Sequence, residues 1–552
     1  MPMERRIAYT LVLLTTVSLG LSSAASAGTS TIYSVAPIDV PVGWSFSPNK
    51  INDLGQVVGD GQYTSGGPRG LMWDRRTHTT YVLPDLPGGK DESHAYGINN
   101  SGQVAGYSSE TWAGTWYADA AVLWTPTTGE VRVLDHAVVT NPNINHSEQG
   151  MAINTAGLVA GRALGNASLW DTGGHLQDLG GLTIPSAGSY GFDINDHNDV
   201  TGFAYIPVGT HGGVWAHAFL WDGGTGNMYD LGVLPIAGHE QSFGRAINNA
   251  GSVVGYSIKA DYQARAFYKS LAGSMVSISA SLPAGVISRL IYNFANDIND
   301  SNQAVGECLL KQFEASDEQY QAFVWGPTSG GQMLSDILDS SGHGMAVRMA
   351  SAINNLGEIV VRTQLPGESG WVWHILTPHE LDSDPLPQGP GVGANLLGGS
   401  GGSQPGGLDL TFDNVLTGGI LSAVYRQTDA TGFANGYLNS PSDIGFVLSG
   451  LPGGNVQFWE VALEGGAFDM ATLTVHYDDS LLPVGFDETT LGISHYHDGV
   501  WENLSAAARD TFANTITFET TGFSSFVLTP EPATLSLLAL GGLGLLARRR
   551  RR

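Results

Sequence analysis

The chain is expected to be all-β: a seven-bladed, β-propeller-like repeat domain followed by a β-sandwich. Three observations carry this expectation. One nonapeptide pattern recurs seven times at a period near 50 residues. Glycine is abundant, 75 of 552 residues and about twice the usual usage of about 7%. No long helical periodicity occurs between the two chain ends.

The repeated pattern is Ile-Asn-x-x-Gly-x-Val-Val-Gly with variations. It opens at Ile51, Ile98, Ile153, Ile194, Ile247, Ile298 and Ile353, each followed by Asn, in steps of 47, 55, 41, 53, 51 and 55 residues. Residues 51–59, 98–106 and 247–255 are the clearest copies. Asn198 and Asn302 stand at the Gly position of two copies, and Val361 replaces the closing Gly of the last. The pattern describes a hairpin. An apolar residue ends one strand, the Asn caps the turn through local backbone bonds, and Gly or Asn takes a positive φ. The Asn and Asp residues lack the dense D-x-D-x-D spacing of a calcium loop, so turn chemistry is the reading.

A second element follows each hairpin, as in Leu71-Met72-Trp73, Ala121-Val122-Leu123-Trp124 and Ala322-Phe323-Val324-Trp325, and a third reads Leu176-Gln177-Asp178-Leu179-Gly180 or Met228-Tyr229-Asp230-Leu231-Gly232. Four short strands in about 50 residues make one propeller blade. A Trp at the same place in successive units is read as core between blades, not as a row for stacking sugars. Ring closure is expected to place residues 31–35 as an outer strand beside residues 353–373, with 374–381 as the rival strand. The arrangement resembles the HAF family of extracellular repeats, named for the triplet that stands here as His217-Ala218-Phe219. The resemblance spans roughly residues 45–375; it implies a propeller-like architecture outside the cell and assigns no reaction.

Residues 382–407 are rich in Gly, Pro and Ser and are expected to be a flexible linker. Residues 408–528 show period-two runs between turn residues, for example Ala471–Tyr477 and Asn514–Phe518, which suits the sandwich. The repeat domain is accordingly expected over residues 28–381.

The ends carry targeting signals. Arg5 and Arg6, an apolar run over residues 7–21, and Ala25-Ser26-Ala27 before Gly28 describe a signal peptide over residues 1–27, with cleavage after Ala27. At the other end Pro530-Glu531-Pro532 precedes an apolar stretch over 533–547 and five arginines, Arg548, Arg549, Arg550, Arg551 and Arg552. The stretch is expected to be a short membrane helix with the arginines on the cytoplasmic side and the body outside. Residues 529–552 resemble the PEP-CTERM sorting signal. That resemblance implies an exosortase-type enzyme that removes the tail, transient residence in the inner membrane, and a Gram-negative host that makes exopolysaccharide.

The formal net charge is −27, and loss of Arg5, Arg6 and residues 548–552 would leave the mature surface more acidic still. Such a surface repels nucleic acid, which is excluded as a partner. Cys308 is the only cysteine, so no intrachain disulfide forms; its setting suits a buried small hydrophobe. His495 and His497 share a strand face without further ligands at zinc spacing, and are read as solvent-facing. Asp478-Asp479 and Asp487-Glu488 read as turns, not as a glycosidase pair. There is no G-x-S-x-G, H-E-x-x-H, P-loop or CxxC. No catalytic residue, cofactor or metal is expected. The reading is an exported surface or matrix protein, not an enzyme, whose propeller binds a polysaccharide or protein partner. The alternative is a propeller hydrolase or lyase acting on extracellular glycans. Carboxylates and aromatics gathered at one mouth of the channel would favour that alternative.

Overall fold

Each Ile-Asn motif is the turn between the first two strands of an antiparallel sheet. The computed structural model describes residues 28–530 except 65, 113–115, 137–146, 184–186, 209–212, 261–262, 284–285, 287–289, 311–318, 339–343, 365–369, 398–405, 429–455, 483–484, 498–499 and 524. Six sheets are four-stranded meanders. Trp44–Ile51, Gln56–Tyr63, Pro68–Asp74 and Thr79–Val82 make the first. The others begin at Ser93–Ile98, Gln149–Ile153, Ser189–Ile194, His239–Ile247 and Leu290–Ile298. The seventh motif joins Ala346–Ile353 to Ile359–Gln364, which pairs with Val372–Leu386. Gly28–Pro37 pairs with that long strand, and Ile38 N donates to Trp373 O at 3.0 Å. The segment around Tyr33 thus lies beside the strand of Trp373, while residues 374–381 belong to the strand it pairs with.

The turn Asn does two things at once. Asn52 Oδ1 accepts from the N–H groups of Leu54 and Gln56 at 3.0 and 2.9 Å, which fixes the hairpin. Its Nδ2 donates to Asn99 O of the next repeat at 3.0 Å. The same donation runs from Asn99 to Asn154 O, Asn154 to Asn195 O, Asn195 to Asn248 O, Asn248 to Asn299 O and Asn299 to Asn354 O, at 2.9–3.2 Å. Asn354 Nδ2 then donates to Asn52 O at 3.0 Å and the cycle closes. The Gly position takes positive φ, 73° at Gly55 and 67° at Asn198.

The pattern's closing Gly answers a different constraint. Every first strand carries a bulge two residues before its final Ile, as between Pro48 and Lys50 and between Ala95 and Gly97. Gly106 and Gly202 face it from the second strand, where a Cβ would come within 1.9 and 1.7 Å of His94 O and Tyr190 O. Apolar clusters join neighbours. Val58 and Met72 pack with Ala95 and Val104 of the next repeat, and Ala352, Val360 and Ile375 of the seventh pack with Phe46, Val57 and Trp73 of the first. Trp73, Trp124, Trp170, Trp221 and Trp325 are buried in these clusters.

The residues just before each Ile meet at the centre. Lys50 reaches from the first repeat to Asp297 Oδ1 of the sixth at 2.6 Å and Asp193 Oδ2 of the fourth at 3.6 Å. Gly97, Ala152, Ala246 and Ala352 occupy the corresponding places and leave room for its stem. Burial pulls the ammonium's pKa down, but the two carboxylates outweigh it and the balance is raised. Burial raises the Asp193 carboxyl in spite of Lys50. Asp193 also accepts from Ile247 N and Asp297 from Ile353 N, both at 3.0 Å, so each carboxylate ties two repeats together.

The chain divides into two compact units, one Ile32–Pro378 and the other the two ends up to Thr31 and from His379. In the second unit one antiparallel sheet holds the end of Val372–Leu386, then Gly419–Thr428, Val456–Glu464, Ser525–Pro530, Leu491–His497 and Val500–Leu504. The other holds Gly389–Leu396, Leu408–Thr417, Ala471–His476, Thr515–Thr520 and Ala506–Asp510. Phe412, Leu473 and Phe518 from one and Leu421, Trp459 and Phe526 from the other form a single core. The structure differs from the expected linker: residues 382–386 and 389–396 are paired strands. Gly389–Leu396 lies at a sheet edge, where Pro390 and glycines are tolerated because one row of backbone groups needs no partner. The expected apolar helix over 533–547 lies outside the described residues. Among the described residues no helix is long and apolar enough to cross a membrane.

Three outcomes follow from these contacts. Asn248→Ala strips two N–H groups and one carbonyl of their partners and should cost about 2–4 kcal/mol in denaturant unfolding. A loss below about 0.5 kcal/mol would show that the cycle is incidental. Lys50→Met leaves two buried carboxylates uncompensated and should cost about 3–5 kcal/mol. Adding Asp193→Asn and Asp297→Asn should recover much of it. His374 is buried, with Nδ1 2.9 Å from Thr363 Oγ1, and burial drives its pKa down from 6.5 to about 4. Between those values the unfolded chain takes up a proton that the folded one refuses, so stability falls as pH falls. The His374 share should be about 2 kcal/mol between pH 7 and pH 5. His374→Gln should lose that much less over the same interval; an unchanged pH dependence would refute the assignment.

Candidate binding face

The repeats are alike at one end of the first strands and different at the other. The Ile-Asn end closes on a small polar cavity of about 140 Å³ bounded by the asparagine cycle. The other end opens on a cavity of about 350 Å³ lined from all seven repeats. The bulge decides what lines it, because its extra residue is turned to the centre. These residues are Asn49, Tyr96, Met151, Phe192, Arg245, Asn296 and Ser351.

Two further sets of equivalent positions surround them. Ser47, His94, Gln149, Tyr190, Phe243, Phe294 and Met349 lie on the first strands, paired in register with Asp60, Tyr107, Arg162, Phe203, Tyr256, Glu307 and Arg362 on the second. Aromatic rings run continuously from the fourth repeat to the sixth. Tyr190 stacks on Phe203 at 4.7 Å, Phe203 meets Phe243 at 5.0 Å, Phe243 stacks on Tyr256 at 5.0 Å, and Tyr256 meets Phe294 at 5.0 Å. A second group on the second repeat stacks His94 on Tyr107 at 4.6 Å, with Tyr96 5.9 Å from Tyr107. Apart from Phe203 these rings are half-exposed, unlike the buried tryptophans.

Charges are set among the rings. Arg162 lies over Tyr190 at 4.2 Å, Arg245 over Phe192 at 5.2 Å, and Arg348 and Arg362 over Trp371 at 4.1 and 5.6 Å. His94 Nδ1 is 3.1 Å from Asp60 Oδ1; burial opposes its charge, but the bond to Asp60 and the nearby Glu92 and Asp119 prevail and raise its pKa. Burial pushes the Tyr107 phenol up to about 12. Burial likewise raises the Glu307 carboxyl, while Arg245 pulls it back. Half-exposed ring faces beside forked cations suit stacking and hydrogen bonding along an extended polar chain.

The sorting residues fall mainly outside the described residues: Ala25, Ala27, Glu531, Pro532, Arg548, Arg549 and Arg550. Gly28 opens the first strand, and Pro530 ends the last, opposite Leu491. His217 is 2.9 Å from Asp230, while Ala218 and Phe219 enter the core. Cys308 is buried, its Sγ 3.4 Å from Gln321 O, and burial pushes the thiol up to about 12. Asp478 and Asp487 accept from Ser480 N and Thr489 N as turn caps. His495 corrects the solvent-facing expectation: it is buried and stacked on Phe526 at 4.4 Å, because the other sheet covers this face of its strand. The aromatic face escaped the sequence reading. Its signal exists, at two and four residues before each Ile-Asn and one after each closing Gly, once the repeats are laid over one another.

Residues 528–552 match the PEP-CTERM protein-sorting motif. No curated protein matches the chain by sequence. Among solved structures it is similar to TolB from Acinetobacter baumannii, at 13% identity and a TM-score of 0.28, over 45% of this chain and 62% of that one. The chain thus spans less than two thirds of TolB's length. It is similar also to the β-propeller domain of the Trilobed protease from Pyrococcus furiosus, at 8% identity and a TM-score of 0.37, over 62% and 94% of the two chains. A third likeness is to oligogalacturonate lyase from Vibrio parahaemolyticus, at 11% identity and a TM-score of 0.36, over 64% and 97%. The sorting motif indicates an exported, cell-surface protein processed by an exosortase-type enzyme.

Proposed function

We propose that this chain is a surface-displayed, non-enzymatic binding protein whose HAF-type repeats form a seven-bladed β-propeller that holds a polysaccharide on its aromatic mouth. In this reading residues 1–27 are a leader, residues 32–378 are the propeller, and the two-sheet unit is a β-sandwich carrying the sorting tail. The observation that carries it is the contrast between the ends of the repeats. The Asn cycle is uniform and consumed by structure, whereas the opposite face varies and leaves Tyr190, Phe243, Tyr256 and Phe294 half-exposed. Sugar rings stack their C–H faces on such side chains.

A second reading, a hydrolase or lyase on glycans, is favoured by one group. Glu307 lies on the aromatic face with its carboxyl raised by burial, as a general acid would require. The other acids near the centre are engaged: Asp60 with His94, and Asp193 and Asp297 with Lys50.

The test uses the protein extracted from the cell surface. Its intact mass should correspond to a chain beginning at Gly28 and ending near Pro530; retention of residues 548–552 would make a plain membrane anchor the better reading. The same material should bind immobilised polysaccharide, with Tyr190→Ala and Phe243→Ala each weakening binding about tenfold. Release of new reducing or unsaturated ends that stops in Glu307→Gln would replace the binding reading with the enzymatic one.

A further inference from the structure

Four arginines stand on the aromatic face of a chain whose acidic residues outnumber basic ones 51 to 24. Arg162, Arg245 and Arg362 come from equivalent or adjacent positions of the third, fifth and seventh repeats, and Arg348 flanks Arg362 across Trp371. Elsewhere several cations are spent on carboxylates, Lys50 on Asp193 and Asp297, Arg69 on Asp85 and Asp91, Arg75 on Glu358 and Arg76 on Asp74, and others on backbone carbonyls, as Arg132 on Thr172 O and Lys269 on Ser270 O. Among the described residues none of the four face arginines makes an ion pair. Their guanidinium carbons lie 4.1–5.6 Å from ring centroids instead, a contact with the ring that leaves N–H groups for a ligand. Arg245 and Arg362 are exposed and Arg162 and Arg348 half-buried. The acids of the same face are engaged or buried: Asp60 is held by His94, Asp119 accepts from Ser147 and Gln149, Asp193 and Asp297 are held by Lys50, and burial favours the neutral form of the Glu307 carboxyl.

We infer that the ligand of this face is an anionic polysaccharide bearing carboxylates on its sugar rings, read by the arginines of the third, fifth and seventh repeats while the rings of the fourth to sixth stack on its sugars. This rests on the polysaccharide-binding reading above and narrows it. Forked guanidinium groups match carboxylates in a two-point contact that a neutral sugar cannot return. Spacing the arginines on alternate repeats, with aromatics between them, suits a chain that presents charge and ring faces in turn.

The test measures binding of the mature protein to an alginate-type hexauronate, to maltohexaose and to a sulfated hexasaccharide by calorimetry. Expected is at least about tenfold tighter binding of the hexauronate than of maltohexaose, weakened by added salt. Arg245→Gln with Arg362→Gln should lower hexauronate affinity about tenfold or more and leave maltohexaose affinity unchanged. Arg76→Gln, at the Ile-Asn end, should change neither. Both face arginines are exposed, so an unchanged unfolding midpoint would confirm that the variants fold. Equal affinity for hexauronate and maltohexaose would overturn the inference and leave the broader reading standing. Preference for the sulfated hexamer over the hexauronate would overturn the carboxylate assignment. Binding of none of the three would overturn both.

Discussion

The fold of the repeat unit hangs on one side-chain amide used from both ends. In each Ile-Asn turn the carbonyl oxygen of the Asn fixes its own hairpin and the NH₂ group reaches the backbone of the next. Only an amide supplies an acceptor and a donor at that distance; Asp would offer two acceptors and Leu neither. Seven such links in a closed cycle make each sheet's position depend on both neighbours. The shared apolar clusters then need only fill the wedge between sheets already spaced by the amides.

The bulge and the closing glycine are the second constraint, and they are coupled. A bulge swings one residue per repeat to the centre, and the facing strand must come so close that most copies admit no Cβ. The backbone thus presents seven side chains to one mouth whatever their identity. This separates the residues that make the fold from those that vary on it. The sequence is free at Tyr96, Met151, Phe192, Arg245 and Ser351 because none of these side chains holds the sheets in the way the Asn amides do, whereas Asn49 and Asn296 donate to Ala95 O and Ala350 O of the next repeat at 2.8 and 2.9 Å.

Between the two ends sits the ion triad of Lys50, Asp193 and Asp297. A charged cluster at the centre of a ring carries a desolvation cost that apolar residues would avoid. Its compensation is that each carboxylate also accepts a backbone N–H from the edge strand of the following repeat, a group with no neighbouring strand to bond. The triad therefore extends the amide cycle one layer deeper, in three repeats instead of seven.

The all-β class, the positions of the turns, the positive φ at Gly55 and Asn198, the buried Trp row and the sorting motif were legible from the sequence. All of these are local: they depend on a residue's neighbours within a few positions, on backbone conformations few residue types allow, or on a contiguous signal. The second half of the Asn amide's role was not legible, because its partner lies about 50 residues away. Nor was the face built by Tyr190, Phe203, Phe243, Tyr256 and Phe294, whose members are separated in the chain and become neighbours only when successive sheets are set side by side. The glycine-rich stretch at 389–396 looked like a spacer because composition records flexibility but not a free place at a sheet edge. His495 looked exposed because strand alternation assigns faces without saying which face a second sheet will cover. Only the tertiary structure decided these points, since each depends on what packs against a residue from far along the chain.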